Sequence, residues 1–276
     1  MSGHLRDTVG RLGVWCTRED ISPALAAEIE RLGYGTIWIG RADGDLCLIE
    51  ELLNNTGSIV VATGIVNIWR YPARDVAAAY HRVESRHPGR MLLGIGVGHP
   101  ETNGDQYRKP YTALCRYLDE LDAAGVPVSR RVLAALGPRV LRLAAERAAG
   151  AHPYLVPVEH TRFARQVMGA DALLAPEQRI VLDTDPVRAR TAALAAVSGP
   201  LSRVNYATNL RRLGYDGPPS DQLLDRLVRH GDATAISYAI AEHLLAGADH
   251  VAVHVLSDQP LRDYTTIADQ FRGEPT

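Results

Sequence analysis

Eight short apolar runs alternate with helical stretches along almost the whole chain, and no other feature limits the fold as strongly. The runs are Leu12–Cys16, Thr36–Gly40, Ser58–Asn67, Arg90–Val97, Arg131–Leu136, His152–Val156, Gln178–Asp183 and His250–Val255. Several are apolar on both faces, as strands of a parallel sheet covered by helices must be. The helices between them have readable starts. Ser22-Pro23 and Asp185-Pro186 each set a capping side chain before a proline at the first helical position, and Asp232 can cap a helix from 233 to 246. Gly33, Gly89, Gly150 and Gly247 stand where a helix hands over to the next strand. Eight such units in 276 residues imply an α/β fold of the (β/α)8 TIM-barrel type. The rival, an open doubly wound sheet, would carry G-x-G-x-x-G after its first strand, and Gly13-Val14-Trp15 leads to nothing similar. Extra helical material at about 186–229, with helical stretches at 206–213 and 222–228, is expected as an insertion over the barrel mouth between the seventh and eighth strands. No low-complexity linker interrupts residues 1–276, which are therefore read as one domain.

Composition removes several classes of function. A net charge of −2 argues against nucleic-acid binding, which usually needs a clearly basic surface. Lys109 is the only lysine, which argues against Schiff-base chemistry. Cys16, Cys47 and Cys115 are far apart and include no C-x-x-C, so neither a disulfide framework nor a zinc site is indicated. The one H-x-x-x-H spacing, His250 to His254, lies along the eighth apolar run and not on a helix, there is no H-E-x-x-H, and no metal site is expected. There is no G-x-S-x-G and no P-loop. No run of about 18 apolar residues occurs, and a cytoplasmic protein with a small-molecule substrate is expected. A homodimer is compatible with the sequence.

Chemistry in a barrel gathers at the carboxyl ends of the strands. The fourth run ends in Gly94-Ile-Gly-Val-Gly-His-Pro100, and glycines inside a strand mark close approach by another backbone or by a ligand. His99 follows them; it is either a catalytic group or a hydrogen-bonded structural histidine. The third run is long and broken at Thr63-Gly64, which implies a bulge serving either a ligand or barrel closure. Gly137-Pro138-Arg139 opens a helix after the fifth strand; it suits an anion as well as it suits a plain helix start. The second strand leads to Arg41 and Asp43, with Trp38 expected in the core. The sixth brings Tyr154 and, at the next helix start, His160. His152 and His250, read as strand starts, are expected at the opposite, stability face, and His254 at a strand end.

In order along the chain, Leu32-Gly-Tyr-Gly-Thr-Ile-Trp-Ile-Gly40, Ala62-Thr-Gly-Ile65, Leu93-Gly-Ile-Gly-Val-Gly98, Leu136-Gly-Pro-Arg-Val-Leu141, His152-Pro-Tyr-Leu-Val-Pro157 and Leu174-Ala-Pro-Glu-Gln178 resemble the luciferase-like monooxygenase superfamily, and more narrowly its branch of F420-dependent oxidoreductases. The resemblance implies a bacterial-luciferase-like barrel holding coenzyme F420, or alternatively FMN, at its carboxyl face. It implies that Thr63-Gly64-Ile65 is a bulge, often with a non-proline cis peptide, behind the ring. Gly96 and Gly98 would flank the ring, while Gly137, Arg139 and Val140 would meet a phosphate. Asn67, Val97, Tyr154 and His160 complete the expected cofactor-contacting set. In many relatives the second strand ends in Asp-His and the fourth supplies a glutamate; here Arg41-Ala42 and His99 stand instead. The expected function is hydride transfer between F420 and a small organic substrate, reducing C=C or C=N or the reverse. His99 would be the acid or base, since an ordinary imidazole titrates near pH 6.5, and Arg41 would orient an anionic substrate. An FMN-dependent monooxygenase and a non-catalytic flavin-binding barrel are the alternatives.

Overall fold

Apolar strand faces, not loops, organise the chain into one continuous parallel sheet. The computed structural model describes residues 2–273. The strands are β1 (Leu12–Thr17), β2 (Thr36–Gly40), β3 (Val60–Gly64), β4 (Val66–Asn67), β5 (Met91–Gly96), β6 (Arg131–Leu133), β7 (Gly150–Ala151), β8 (Leu173–Leu174), β9 (Glu177–Val181), β10 (Val228–His230) and β11 (Val251–Val255). Their order is β10-β9-β11-β1-β2-β3-β5-β6-β7-β8, with β4 paired to β5. β8 and β9 are two pieces of one passage interrupted at Ala175-Pro176. On one side Ala175 donates to Ala151; on the other Ala252 donates to the Pro176 carbonyl, so this passage closes the barrel.

β2 and β5 are buried at every residue, because the barrel interior covers one face and helices the other. The interior cluster includes Trp15, Trp38, Val60, Ala62, Leu92, Val132 and Ala252, closed at the amino end by Leu5 and Val9 of the helix Ser2–Val9. A larger cluster fills the space between strands and outer helices. A third apolar cluster belongs to the insertion, whose helices Pro186–Leu201, Val204–Arg212 and Asp221–Leu227 pack through Ala193, Val197, Leu210, Leu224 and Leu227.

The bulge in the third strand has a clear cause. Ala62 pairs with Leu92, and Val66 with Ile95, so four steps on one strand oppose three on the other. The peptide Gly64–Ile65 is cis and lies within the extra residue's span. Across the gap, Thr63 Oγ1 accepts from Gly94 N at 2.7 Å and donates to Gly94 O at 2.8 Å. A Cβ on Gly94 would sit 1.7 Å from the Thr63 carbonyl oxygen. Gly94 therefore answers to a neighbouring backbone, not to a ligand.

The later strands depart from the sequence expectation. The sixth lies at Gly150–Ala151 instead of 152–156, and the fifth ends at Leu133 instead of 136. Proline at 153 lacks the N–H that a ladder needs, which ends the strand at Ala151, five residues before the end of the apolar run. The seventh starts at Leu173, and β10, at the end of the insertion, adds a strand beside β9 that the apolar pattern does not reveal.

Candidate active site

A cavity of about 930 Å³ opens at the carboxyl ends of the strands. Among the expected residues, Arg41, Gly64, Ile65, Asn67, Val97, Gly98, His99, Gly137, Arg139, Val140 and Tyr154 line it. Three others do not. Thr63 is buried and spends its hydroxyl on Gly94. Gly96 is packed so that a Cβ would meet Ile65 and Ala134 at 3.0 Å, which sets it in the wall behind the cavity. His160 is fully buried with Nε2 on the Leu136 carbonyl at 2.9 Å, so it supports the fifth strand's exit instead of meeting a ligand.

His99 stands where β5 turns into the short helix Pro100–Asn103. Its ring lies 4.8 Å from Tyr206, and its Nδ1 is 3.4 Å from the Asn205 amide. Burial, with help from the Arg203 charge and against that of Glu101, pushes its pKa down to about 4. His99 is therefore a neutral imidazole at neutral pH, able to accept a proton but carrying none to spare as a cation. Arg41 is also different from expectation. Its side chain is 69% exposed and bonded to Glu19 at 2.7 Å, so its charge is answered at the rim. Glu19 in turn lies 3.5 Å from Arg18, which also pairs with Asp43.

Deeper in the wall are two buried groups that the strand-end reading missed. Trp15 Nε1 and His152 Nε2 have no hydrogen-bond partner among the described residues. They would lie 3.1 and 3.5 Å from a Cβ placed on Gly64, so both face the bulge. His152, only 2% exposed, stacks on Trp38 with ring centroids 4.0 Å apart and planes 9° from parallel. Its Nδ1 is 2.6 Å from the Ala175 carbonyl. A carbonyl only accepts, so Nδ1 bears the hydrogen and Nε2 is bare. Burial, outweighing the Ala175 hydrogen bond, holds the pKa at about 4 and keeps the ring neutral. The cavity wall thus offers one N–H donor and one nitrogen acceptor. His152 was expected at the opposite face because its strand was drawn two residues late; Pro153 was the available signal. His250 does sit at the amino end, accepting from Trp38 Nε1 at 3.0 Å.

The helix Pro138–Arg147 starts at Gly137 with no side-chain cap, and Gly137, Arg139 and Val140 of its first turn line the cavity. Arg139 lies over the Tyr111 ring at 3.6 Å, and the Arg212 guanidinium would be 3.8 Å from a Cβ on Gly137. Asn209, 2% exposed, receives Arg212 on Oδ1 at 3.3 Å and has an unpartnered Nδ2. Asn209 and Arg212 come from the insertion and lie three residues apart on one helix face. That spacing was the only sequence sign of them.

Beside the cavity runs a buried polar chain. Glu177 bonds Arg179 at 3.2 Å and His254 at 2.9 Å, and Arg179 donates to Tyr154 Oη at 2.5 Å. Burial opposes ionisation of Glu177, but His254 and Arg179 hold its carboxyl below the usual range. Burial and the Glu177 charge push Tyr154 up to about 12, so it keeps its proton. Because Arg179 already donates to Tyr154 Oη, the phenol hydrogen is left for an acceptor elsewhere.

Residues 22–124 match the family model described as luciferase-like monooxygenase. An F420-dependent secondary alcohol dehydrogenase, solved with an F420-acetone adduct, superposes with a TM-score of 0.75 at 13% identity, covering 95% of this chain and 99% of that one. The two chains share the barrel fold. The coenzyme F420-dependent tetrahydromethanopterin reductase from Methanopyrus kandleri superposes on the same barrel with a TM-score of 0.72 at 15% identity, covering 94% and 97%. The oxygenating constituent of 3,6-diketocamphane monooxygenase from Pseudomonas putida, solved with FMN, gives 0.70 at 12%, covering 96% and 99%. No curated protein matches the chain. Among the described residues no helix is long and apolar enough to cross a membrane.

Proposed function

We propose that this luciferase-like protein is an oxidoreductase that transfers hydride between coenzyme F420 and a small organic substrate. The observation that carries the reading is the unsatisfied pair Trp15 Nε1 and His152 Nε2, buried in the cavity wall against the Gly64 bulge. Unpaired buried polar groups cost free energy of roughly 1–3 kcal/mol each, so a wall that keeps two of them is made for a complementary ligand. A donor beside a bare acceptor matches the carbonyl and N–H of an imide edge, which deazaflavins and flavins share. The residues therefore fit the ring. The Gly137 helix start with Arg139, Arg212 and Asn209 fits a phosphate. Arg70, Arg139 and Arg212, cavity-lining arginines that form no ion pair among the described residues, favour a coenzyme with a polyanionic tail, and hence F420 over FMN.

The bound coenzyme would supply the hydride acceptor or donor. Around it, Trp15 and His152 set the edge of the ring, and Gly98 leaves room where a Cβ would press on Asn67 at 2.8 Å. Neutral His99 accepts a hydrogen bond or a proton from substrate. Tyr154, held protonated by burial and oriented by Arg179, donates to a substrate carbonyl or imine nitrogen. Pro200, Arg203 and Tyr206 bring the insertion to the mouth, where it limits access of water. FMN-dependent oxygenation is the second reading, because the imide edge is common to both rings.

Fluorescence titration with F420 and with FMN tests this. F420 is expected to bind at least tenfold more tightly, and Trp15→Phe and His152→Leu should each weaken it about tenfold, the worth of one hydrogen bond of about 1.4 kcal/mol. Binding of FMN alone would overturn the F420 assignment. Full affinity in both variants would remove the ring from this wall.

A further inference from the structure

Arg203 is a charged group in the cavity lining that no described carboxylate pairs with directly, although Glu101 lies within its electrostatic reach. Most of the other arginines there are occupied. Arg18 pairs with Asp43, Arg41 with Glu19, Arg139 lies on the Tyr111 ring, and Arg212 donates to Asn209. Arg70 is exposed at the rim. Arg203 is half-buried just before the helix Val204–Arg212, and its guanidinium has neither a hydrogen bond nor an ion pair among the described residues. Glu101 spends one oxygen on the Val204 backbone N–H at 2.8 Å and feels the Arg203 charge, which helps hold its carboxyl below the usual range, but it forms no ion pair with the guanidinium. Around Arg203 are neutral groups: His99, Tyr154 and Tyr206, all lining the cavity. Asn205, two residues on, donates to the Gly98 carbonyl at 3.0 Å and lies 3.3 Å from Tyr107 Oη, which fixes this end of the helix beside His99.

We propose that Arg203 binds the carboxylate of the substrate, so that the protein acts on a small organic acid whose carboxylate lies next to its reacting carbon. This deepens the oxidoreductase reading and rests on it for the reaction, though not for the binding. A half-buried guanidinium without a partner is costly, and a planar carboxylate answers it with two parallel hydrogen bonds. The cavity is large enough to hold a ring system and a small acid together, being near the upper end of ordinary ligand sites. Arg203 thus takes the role expected of Arg41.

The test uses benzoate as the probe anion and benzamide as its neutral counterpart, with calorimetry and the ring signals of His99 in NMR as readouts. Benzoate should bind at least tenfold more tightly than benzamide and shift the His99 signals. Arg203→Gln should remove that preference, Arg203→Lys should keep part of it, and Arg212→Gln should leave it intact. Arg203→Gln should bind F420 and FMN as the unmodified protein does. Equal binding of the two probes would overturn the proposal, as would benzoate affinity lost in Arg212→Gln and retained in Arg203→Gln. A loss of coenzyme affinity in Arg203→Gln would reassign the residue to the coenzyme. Failure of both coenzymes to bind the unmodified protein would reject the oxidoreductase reading while leaving the benzoate result standing.

Discussion

The two halves of the barrel do different work. From β1 to β5 the strands are five or six residues long apart from the two-residue β4, they pair in unbroken register up to the bulge, and residues 22–124 carry the family match. From β6 to β8 they shrink to three and two residues, and the next passage is broken at Ala175-Pro176 before the insertion begins. The first half gives the cavity mainly backbone shape: the Gly64–Ile65 bulge and Gly98. The second half gives it most of its polar side chains for recognition: His152 and Tyr154, then Arg203, Asn209 and Arg212 from the insertion. Long strands tolerate little change because each residue is fixed on both sides, whereas short strands and a covering insertion can vary their side chains at small cost. A shared scaffold with individual recognition follows from that difference.

The largest expected effect is that of acid. His152, His160, His243 and His250, all in the second half, are buried and held to pKa values of about 4, 4, 3 and 4 by loss of solvation. An imidazole in the unfolded chain takes its proton near pH 6.5. Between 6.5 and about 4 the unfolded state therefore binds more protons, and stability falls as pH is lowered. The folded state should be lost before pH 4. Hydrogen exchange at pH 5 against pH 7 should show β7, β9 and β11 losing protection before β1, β2 and β3; the reverse order would break the comparison.

A smaller effect separates equivalent glycines. A Cβ on Gly94 would lie 1.7 Å from the Thr63 carbonyl oxygen, and one on Gly150 would lie 1.8 Å from that of Leu173. Gly94→Ala is expected to cost about 3 kcal/mol, and Gly150→Ala about 1–2 kcal/mol because a two-residue ladder can shift. Denaturant unfolding of both variants measures the difference. Equal losses would mean that the second half is as rigid as the first. The smallest effect belongs to Arg41→Gln, an exposed ion-pair partner of Glu19, which should change stability by no more than about 0.5 kcal/mol and coenzyme affinity by less than twofold. A tenfold loss of affinity would return Arg41 to the site.

How much of this the sequence announces depends on the half. The first four strands, the bulge at Thr63-Gly64-Ile65 and the helix starts at Ser22, Asp185 and Asp232 can be read directly, because strand burial and capping are local patterns. The insertion at 186–229 can be read as well, its second and third helices falling at Val204–Arg212 and Asp221–Leu227. What the sequence could not decide is which partner each candidate meets. Gly94 and Gly98 share one motif, yet one is held against Thr63 and the other faces the cavity. Arg41 and Arg203 are both arginines beside the mouth, yet Glu19 pairs with one while no described carboxylate forms an ion pair with the other. His99 and His152 are ordinary imidazoles until burial makes them neutral. The alternation of apolar and helical stretches determined the barrel by itself, because burial of alternate elements depends on pattern alone. Charge state, free hydrogen-bonding capacity and place at the cavity were decided only by the tertiary structure, because each depends on groups up to a hundred or more residues away.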